Sequence, residues 1–428
     1  MVWKTPLPPG HSSPVVSADR IFLSGAKDES VLTVICLERA SGKLLWEKEI
    51  PYDTLEKVHL TGSHAQSSPV TDGERVVTFF GSSGLWCHDK HGKLLWHKKM
   101  GPFKNDFGAG SSPIIVDDKV ILCQDHDTDS FLAAYNKTSG EELWKTDRSE
   151  FPRNFSTPVV WEQNGKKQIV VPATLRIVAY DFDSGKEIWT VRGVARIVNM
   201  SPVVGDDGIL YVGCWSPGGD EENRIQVDTF DSYAEKNDKN KDKMIDEKEV
   251  ADPTVKQRFS QIDRDKSGTI TRTEWENMRR VFEDARNRIL AIKPGGQGDI
   301  TETHVLWSFN KQLPYCPSPL FHDGTLYMVK DGGIFSSLDA KTGKPIKQGR
   351  VQGNTKYFAS PVLGDGKIYV VSDAGQLTVV SATPKWQQLF STDFGESVYG
   401  TPAIVDGHIY FRTKSFLYCF GQQVSASR

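Results

Sequence analysis

Short apolar runs alternate with polar turns along the whole chain, and the alternation repeats. A Ser/Thr-Pro pair followed by aliphatic residues occurs eight times, at Ser13-Pro14, Ser68-Pro69, Ser112-Pro113, Thr157-Pro158, Ser201-Pro202, Ser318-Pro319, Ser360-Pro361 and Thr401-Pro402. The prolines are 55, 44, 45, 44, 117, 42 and 41 residues apart, so a single interval is anomalous. Each pair leads through a turn such as Asp207-Gly208 or Asp365-Gly366 to a second apolar run, such as Ile209 to Val212. A third run, such as Ile177 to Tyr180, enters a glycine turn and then a run bearing Trp46, Trp96, Trp144 or Trp189. Asp-Gly between β runs is a hairpin signal, because both central positions of the turn need positive φ. Four short antiparallel strands per unit, repeated eight times, predict an all-β chain folded as an eight-bladed β-propeller.

The last unit has three strands and ends near Phe420, with no tryptophan strand after it. Val2-Trp3-Lys4 reads as the missing strand, so the N-terminus is expected to complete blade eight and close the ring. Blades six and seven are less regular: Pro345 and Ile346 replace the aromatic of the fourth strand, and Trp386 is displaced. The third position of the third strand is small, being Ala134, Ala179, Ala291 or Ser337 in four blades and Cys36, Cys87 or Cys419 in three others. These cysteines read as buried fillers rather than redox groups. Cys123 and Cys214 end second strands and Cys316 precedes a first strand, which leaves a Cys214–Cys316 contact open.

The anomalous interval holds a different kind of sequence. Residues 216–287 are 72 long and carry 32 charged residues, 18 of them acidic. They divide the propeller into 1–215 and 288–428, and they follow the second strand of blade five. The helical insertion contains two patterns for a calcium loop, in which hard oxygens recur at positions 1, 3, 5, 7, 9 and 12. The second pattern supplies Asp263, Asp265, Ser267, the Thr269 carbonyl, Thr271 and Glu274, with Gly268 at the sharp turn. Val255, Phe259 and Ile262 predict an entering helix, and Trp275, Met278 and Phe282 an exiting one. The first pattern supplies Asp238, Asn240, Asp242, the Met244 carbonyl, Asp246 and Glu249. It has Lys243 where glycine is expected, at a cost of ~1–2 kcal/mol for a left-handed residue. Two calcium ions are therefore expected, the second loop being the better site.

Composition narrows the function classes. The 428 residues carry a formal charge of −3, which supplies no basic field for nucleic acid. No apolar run reaches the ~18–20 residues a membrane helix needs. There is no basic n-region with an apolar h-region, so the fold is expected to begin at Met1 after removal of a targeting segment. His-Glu-x-x-His, Gly-x-Ser-x-Gly, phosphate-loop and Cys-x-x-Cys signatures are all missing. Gly295-Gly296-Gln297-Gly298 reads as a linker between strands.

The stretches Ala179 to Trp189 and Ala134 to Trp144 resemble the motif Ala-x-Asp-x-x-Thr-Gly-x-x-x-Trp of quinoprotein alcohol dehydrogenases. Ser184 and Ser139 stand for its Thr, and Asn136 replaces Asp in the second. The wider resemblance is to pyrroloquinoline-quinone-like propeller-repeat proteins, which include the propeller lipoprotein of the bacterial outer-membrane barrel-assembly machine. It covers all eight units, and the calcium loops resemble EF-hands. The resemblance implies export to the periplasm or cell surface of a bacterium. Dehydrogenases of the family carry two adjacent cysteines at the quinone, and this chain has no such pair, which argues against pyrroloquinoline quinone as a cofactor.

Loops before first strands and between second and third strands share one face of a propeller, so the insertion should overhang that face. On it fall Gln124 to Ser130, with Asp125, His126, Asp127 and Asp129. That loop reads either as a metal or polar-ligand site or as a solvated loop whose Asp residues cap turns. His11, His64, Gln66, Arg153, Asn154, Arg196, Asn199, Tyr315, Lys356, Tyr357 and Tyr399 are placed to line the funnel. They either hold a sugar, peptide or anionic ligand or satisfy backbone groups of neighbouring blades. The sequence thus favours a non-enzymatic, calcium-binding propeller that scaffolds an unknown protein, peptide or glycan. The alternative is a quinone-dependent oxidoreductase.

Overall fold

A computed structural model describes residues 1–28, 31–105, 107–127 and 129–421. Thr128, part of the predicted loop site, lies outside the described residues. Eight antiparallel sheets succeed one another along the chain as the blades of a propeller. Blade one comprises Val15–Ser17, Arg20–Lys27, Val31–Glu38 and Leu44–Ile50. Blade three comprises Ile114–Val116, Lys119–Gln124, Phe131–Asn136 and Glu142–Asp147. The last sheet joins Ala403–Val405, His408–Arg412 and Phe416–Gly421 to the N-terminal strand Trp3–Pro6. Trp3 pairs with Cys419 and Pro6 with Phe416 in that closing ladder, as the sequence predicts.

The Ser/Thr-Pro repeat has a physical cause that its recurrence alone does not reveal. Each Ser or Thr donates its backbone N–H to the hydroxyl of the same residue in the next blade. The bonds run Ser13 to Ser68, Ser68 to Ser112, Ser112 to Thr157, and Thr157 to Ser201, at 2.9 to 3.2 Å. They continue Ser201 to Ser318, Ser318 to Ser360, Ser360 to Thr401, and Thr401 back to Ser13, at 2.9 to 3.0 Å. Eight bonds close a circle about the axis. The step from Ser201 to Ser318 crosses the insertion without a change of geometry.

Farther out, the tryptophans fasten blade to blade. The indole N–H groups of Trp3, Trp46, Trp96, Trp144 and Trp307 donate to backbone carbonyls of the next blade's turn at 2.9 to 3.3 Å. The turn glycine there lies flat on the indole. A Cβ on Gly92 or Gly140 would stand within 2.8 Å of the ring, and both have positive φ. The small third-strand residue pairs directly with the tryptophan: Cys36 with Trp46, Cys87 with Trp96, Ala134 with Trp144, and Ala179 with Trp189.

Blade six inverts this arrangement. Lys347 occupies the tryptophan register opposite Ser337. The turn of blade seven carries Trp386 in place of the small glycine, and Trp386 covers the gap, 3 % exposed. Lys347 Nζ lies 4.3 Å from its ring centroid and donates to its carbonyl. The displaced tryptophan therefore replaces the one that blade six lacks. At blade four, Gly298–Asp299 of the expected linker instead adds a fifth, parallel strand beside Trp189 and Thr190.

Between the second and third strands of blade five, Leu210–Cys214 and Arg288–Ile292, the chain forms helices α1 (Phe230–Asn237), α2 (Pro253–Ile262) and α3 (Arg272–Asp284). Pro253 opens α2, with the Asp252 side chain accepting from the N–H groups of Thr254 and Val255. Ile245 and Ile270 pair between the two loops. These helices enclose a core of their own, in which Tyr233 stacks on Trp275 at 4.1 Å between centroids. All six cysteines are free. Cys36, Cys87 and Cys419 are buried as expected. The Cys214–Cys316 contact does not form: Cys214 Sγ accepts from the Ala195 N–H and lies 3.2 Å from the Arg288 carbonyl, whereas Cys316 Sγ meets Asn199.

Candidate binding cavity and metal loops

The insertion overhangs the loop face and encloses a cavity of about 1450 Å³ with it. Helices α2 and α3 form one wall, and loops from several blades form the rest. Lys104 Nζ donates to Ser260 Oγ at 3.1 Å, tying the loop before blade three to α2. Arg196 lies over the ring of Phe282 of α3, 5.1 Å from its centroid.

Most of the predicted funnel residues meet here. His11, Gln66, Arg153, Arg196, Tyr315 and Tyr399 line the cavity. His11 stacks on Tyr399 with 3.8 Å between centroids. Burial, and then the Arg412 charge, lowers its pKa to about 3, so the imidazole is neutral. Tyr315 sits edge-on to Trp215, and burial raises its hydroxyl pKa. Lys356 and Tyr357 also line the cavity, although the Tyr357 hydroxyl is spent on the carbonyls of Gln352 and Gly353.

Other predicted residues do structural work. Asn154 is buried, accepting from the Val198 N–H at 3.0 Å and donating to Pro152 and Thr174. Asn199 donates to the Tyr315 carbonyl across the blade junction. His64 is half-buried and stands outside the lining, which takes His59 and Thr61 from the same loop instead.

The Gln124–Ser130 loop divides rather than forming one site. Asp125 turns inward and accepts two bonds of 2.8 Å from Arg148, which is 1 % exposed. His126 is fully buried and stacked on Phe103, and burial lowers its pKa to about 3. Asp127 and Asp129 alone reach the cavity, and Asp127 pairs with Arg153. Of the two readings of this loop, these contacts favour the one without a metal: Asp125 has a buried counter-ion 23 residues away, and His126 is stacked on Phe103.

The two helical loops differ. In the second, Asp263 accepts from the N–H groups of Ser267 and Gly268, and Glu274 from Arg264 and Thr271. Those bonds turn carboxylate oxygens of Asp263, Asp265 and Glu274 to within 4.8 Å of one another. Gly268 takes φ +86° with open space around it. The Ser267 hydroxyl donates to the Thr269 carbonyl, and Thr271 caps α3 in a reciprocal box with Glu274. This all-oxygen set fits a hard divalent cation. In the first loop, Lys243 takes the left-handed conformation at φ +64°, as its position requires. There Asp238 accepts from Lys241 and Lys243, Glu249 from Lys239 and Asp246, and the Asn240 amide holds Asp242. The Met244 N–H donates to Asp242 at 2.8 Å. Among the described residues, these acids do not converge as the Asp263 group does.

A closed ring of eight four-stranded blades with indole-to-turn fastenings defines an eight-bladed β-propeller. Residues 1–212 match the family model described as "Outer membrane protein assembly factor BamB". No curated protein matches the chain. Among solved structures, BamB from Moraxella catarrhalis aligns over 99 % of both chains with 13 % identity and a TM-score of 0.60. A europium-containing methanol dehydrogenase aligns over 95 % of this chain and 83 % of its own, at 11 % identity and a TM-score of 0.60. The computationally designed Ika8 protein reaches the same TM-score at 10 % identity, over 98 % of this chain and 99 % of its own. At these identities the likeness concerns the fold. No helix among the described residues is long and apolar enough to cross a membrane.

Proposed function

We propose that the chain is a non-enzymatic binding or scaffolding module of the bacterial cell envelope, with calcium held in the helical insertion. The observation that carries the reading is the shared cavity: one wall belongs to the propeller face and the other to the calcium-loop helices. Export rests on the family model's description, which concerns outer-membrane assembly. Calcium would be held by Asp263, Asp265, Ser267, the Thr269 carbonyl, Thr271 and Glu274, and more weakly by the first loop. Its charge would offset the mutual repulsion of the gathered carboxylates and stiffen the insertion over the cavity.

The test is recovery of a partner from solubilised envelope by the tagged full chain, with calcium and with chelator. A partner retained only with calcium supports the reading. A stoichiometric bound quinone after reconstitution, with alcohol-dependent dye reduction, overturns it in favour of an oxidoreductase.

A further inference from the structure

Three arginines from separate elements meet on the cavity wall. Arg153 comes from the loop entering blade four, Arg196 from the loop entering blade five, and Arg258 from α2 of the insertion. Arg153 is matched by Asp127, whose Oδ2 accepts from its guanidinium at 2.9 Å. Arg196 and Arg258 form no ion pair among the described residues. Both guanidinium groups lie against the buried ring of Phe282, 5.1 and 5.8 Å from its centroid. Among the described residues, the Arg196 donors reach only the Pro217 carbonyl, at 3.4 Å.

Two unmatched like charges held against one ring in a half-buried site repel each other. Burial, and then the Arg258 charge, lowers the Arg196 pKa to about 10, and burial, and then the Arg153 charge, lowers that of Arg258. The backbone at Arg153 is also left-handed, at φ +56°, a strained state for a residue with a side chain. The cavity carboxylates do not pair with these charges. Glu150 pairs with Arg176, Asp331 accepts from the Tyr357 N–H, Asp129 is exposed, and Asp263 and Glu274 accept from N–H groups of their own loop.

We propose that this wall is an oxyanion site, in which a carboxylate or phosphate of the ligand is held between Arg196 and Arg258. The inference rests on reading the cavity as a ligand site. A planar guanidinium grips such a group through two parallel N–H bonds, and here one guanidinium comes from a propeller loop and the other from the insertion. The ligand then bridges propeller and insertion, and the Phe282 ring keeps the two forks at a fixed spacing. The cavity's volume leaves room for a ligand much larger than its anionic group.

The experiment is calorimetric titration of the full chain at low ionic strength with inorganic phosphate and, separately, with citrate. At least one probe binds, and the preferred probe separates phosphate from carboxylate chemistry. Arg196→Met and Arg258→Met each weaken that binding by about tenfold or more, while exposed Lys385→Met leaves it within about twofold. Arg258→Lys, which keeps the charge without the fork, falls between them. Folding of each variant is verified by near-ultraviolet circular dichroism, and added salt weakens binding to the intact chain independently of any substitution. The proposal is overturned if neither probe binds at millimolar concentration, or if both methionine variants bind like the parent. Anion binding without recovery of any envelope partner would overturn the scaffold reading and leave this one standing. A partner captured by the parent and by both variants alike, with neither probe binding the parent, would do the reverse.

Discussion

Removing the Trp3 indole should open the ring at its seam. Trp3 is 9 % exposed and packs in a cluster with Leu7, Ile35, Tyr410 and Cys419. Its N–H donates to the Arg39 carbonyl of blade one at 3.1 Å, and its ring covers Gly42. Trp3→Ala loses the apolar contacts and leaves a cavity, together about 3–5 kcal/mol. Trp3→Phe keeps most of the packing and forfeits the hydrogen bond, about 1 kcal/mol. At roughly 2.1 cal/mol/K per residue over some 350 propeller residues, the alanine variant should melt about 4–7 °C lower. Scanning calorimetry of the two variants beside the parent reads both numbers. An unchanged melting temperature for Trp3→Ala would refute the closure mechanism, because it would place the ring's cohesion elsewhere than in the N-terminal strand.

Ser112→Ala removes the acceptor for the Ser68 N–H in the hydroxyl ring and should cost about 1 kcal/mol in urea unfolding. Lys347→Trp and Trp386→Gly should each destabilise alone, whereas the double variant restores the arrangement of the other blades. A double-mutant cycle should show coupling of about 0.5–3 kcal/mol. On the proposed calcium reading, Glu274→Gln should lower the calcium affinity read by titration, because it removes one carboxylate from the group formed with Asp263 and Asp265. His11 and His126, both lowered to about 3 from an ordinary 6.5, are neutral when folded and protonated more readily when unfolded. Their contribution is full above about pH 6.5 and is lost as pH falls toward 3. His126→Phe should therefore flatten the fall of melting temperature with acid.

The blade count and the seam were legible because repetition is a one-dimensional signal. Eight Ser/Thr-Pro pairs and a missing last strand needed no spatial knowledge. The compensation at blade six was not, since Trp386 looks misplaced until blade seven's turn is laid on Lys347 of blade six. The commitment of Asp125 was hidden for the same reason: its partner Arg148 follows the strand Glu142–Asp147, and nothing local marks the pair. On the cavity, Arg153, Arg196, Tyr315, Tyr399 and His11 were placed by their position before first strands. Arg258 was missed because it was counted as one charge among many on an inserted helix. Its alignment beside Phe282, on the face α2 turns toward the propeller, was the available clue.

The circle of hydroxyl–amide bonds has an electrical consequence. Every N–H in it points the same way round, head to tail, so the eight bond dipoles chase one another and cancel in sum. Such a collar holds the blades together without charging the channel it surrounds. Whatever field a visiting molecule meets at the mouth must then be written by side chains mounted on the loops and on the insertion. Those positions lie outside the repeat, and so the polarity of the mouth can be altered residue by residue while the collar beneath it stays intact.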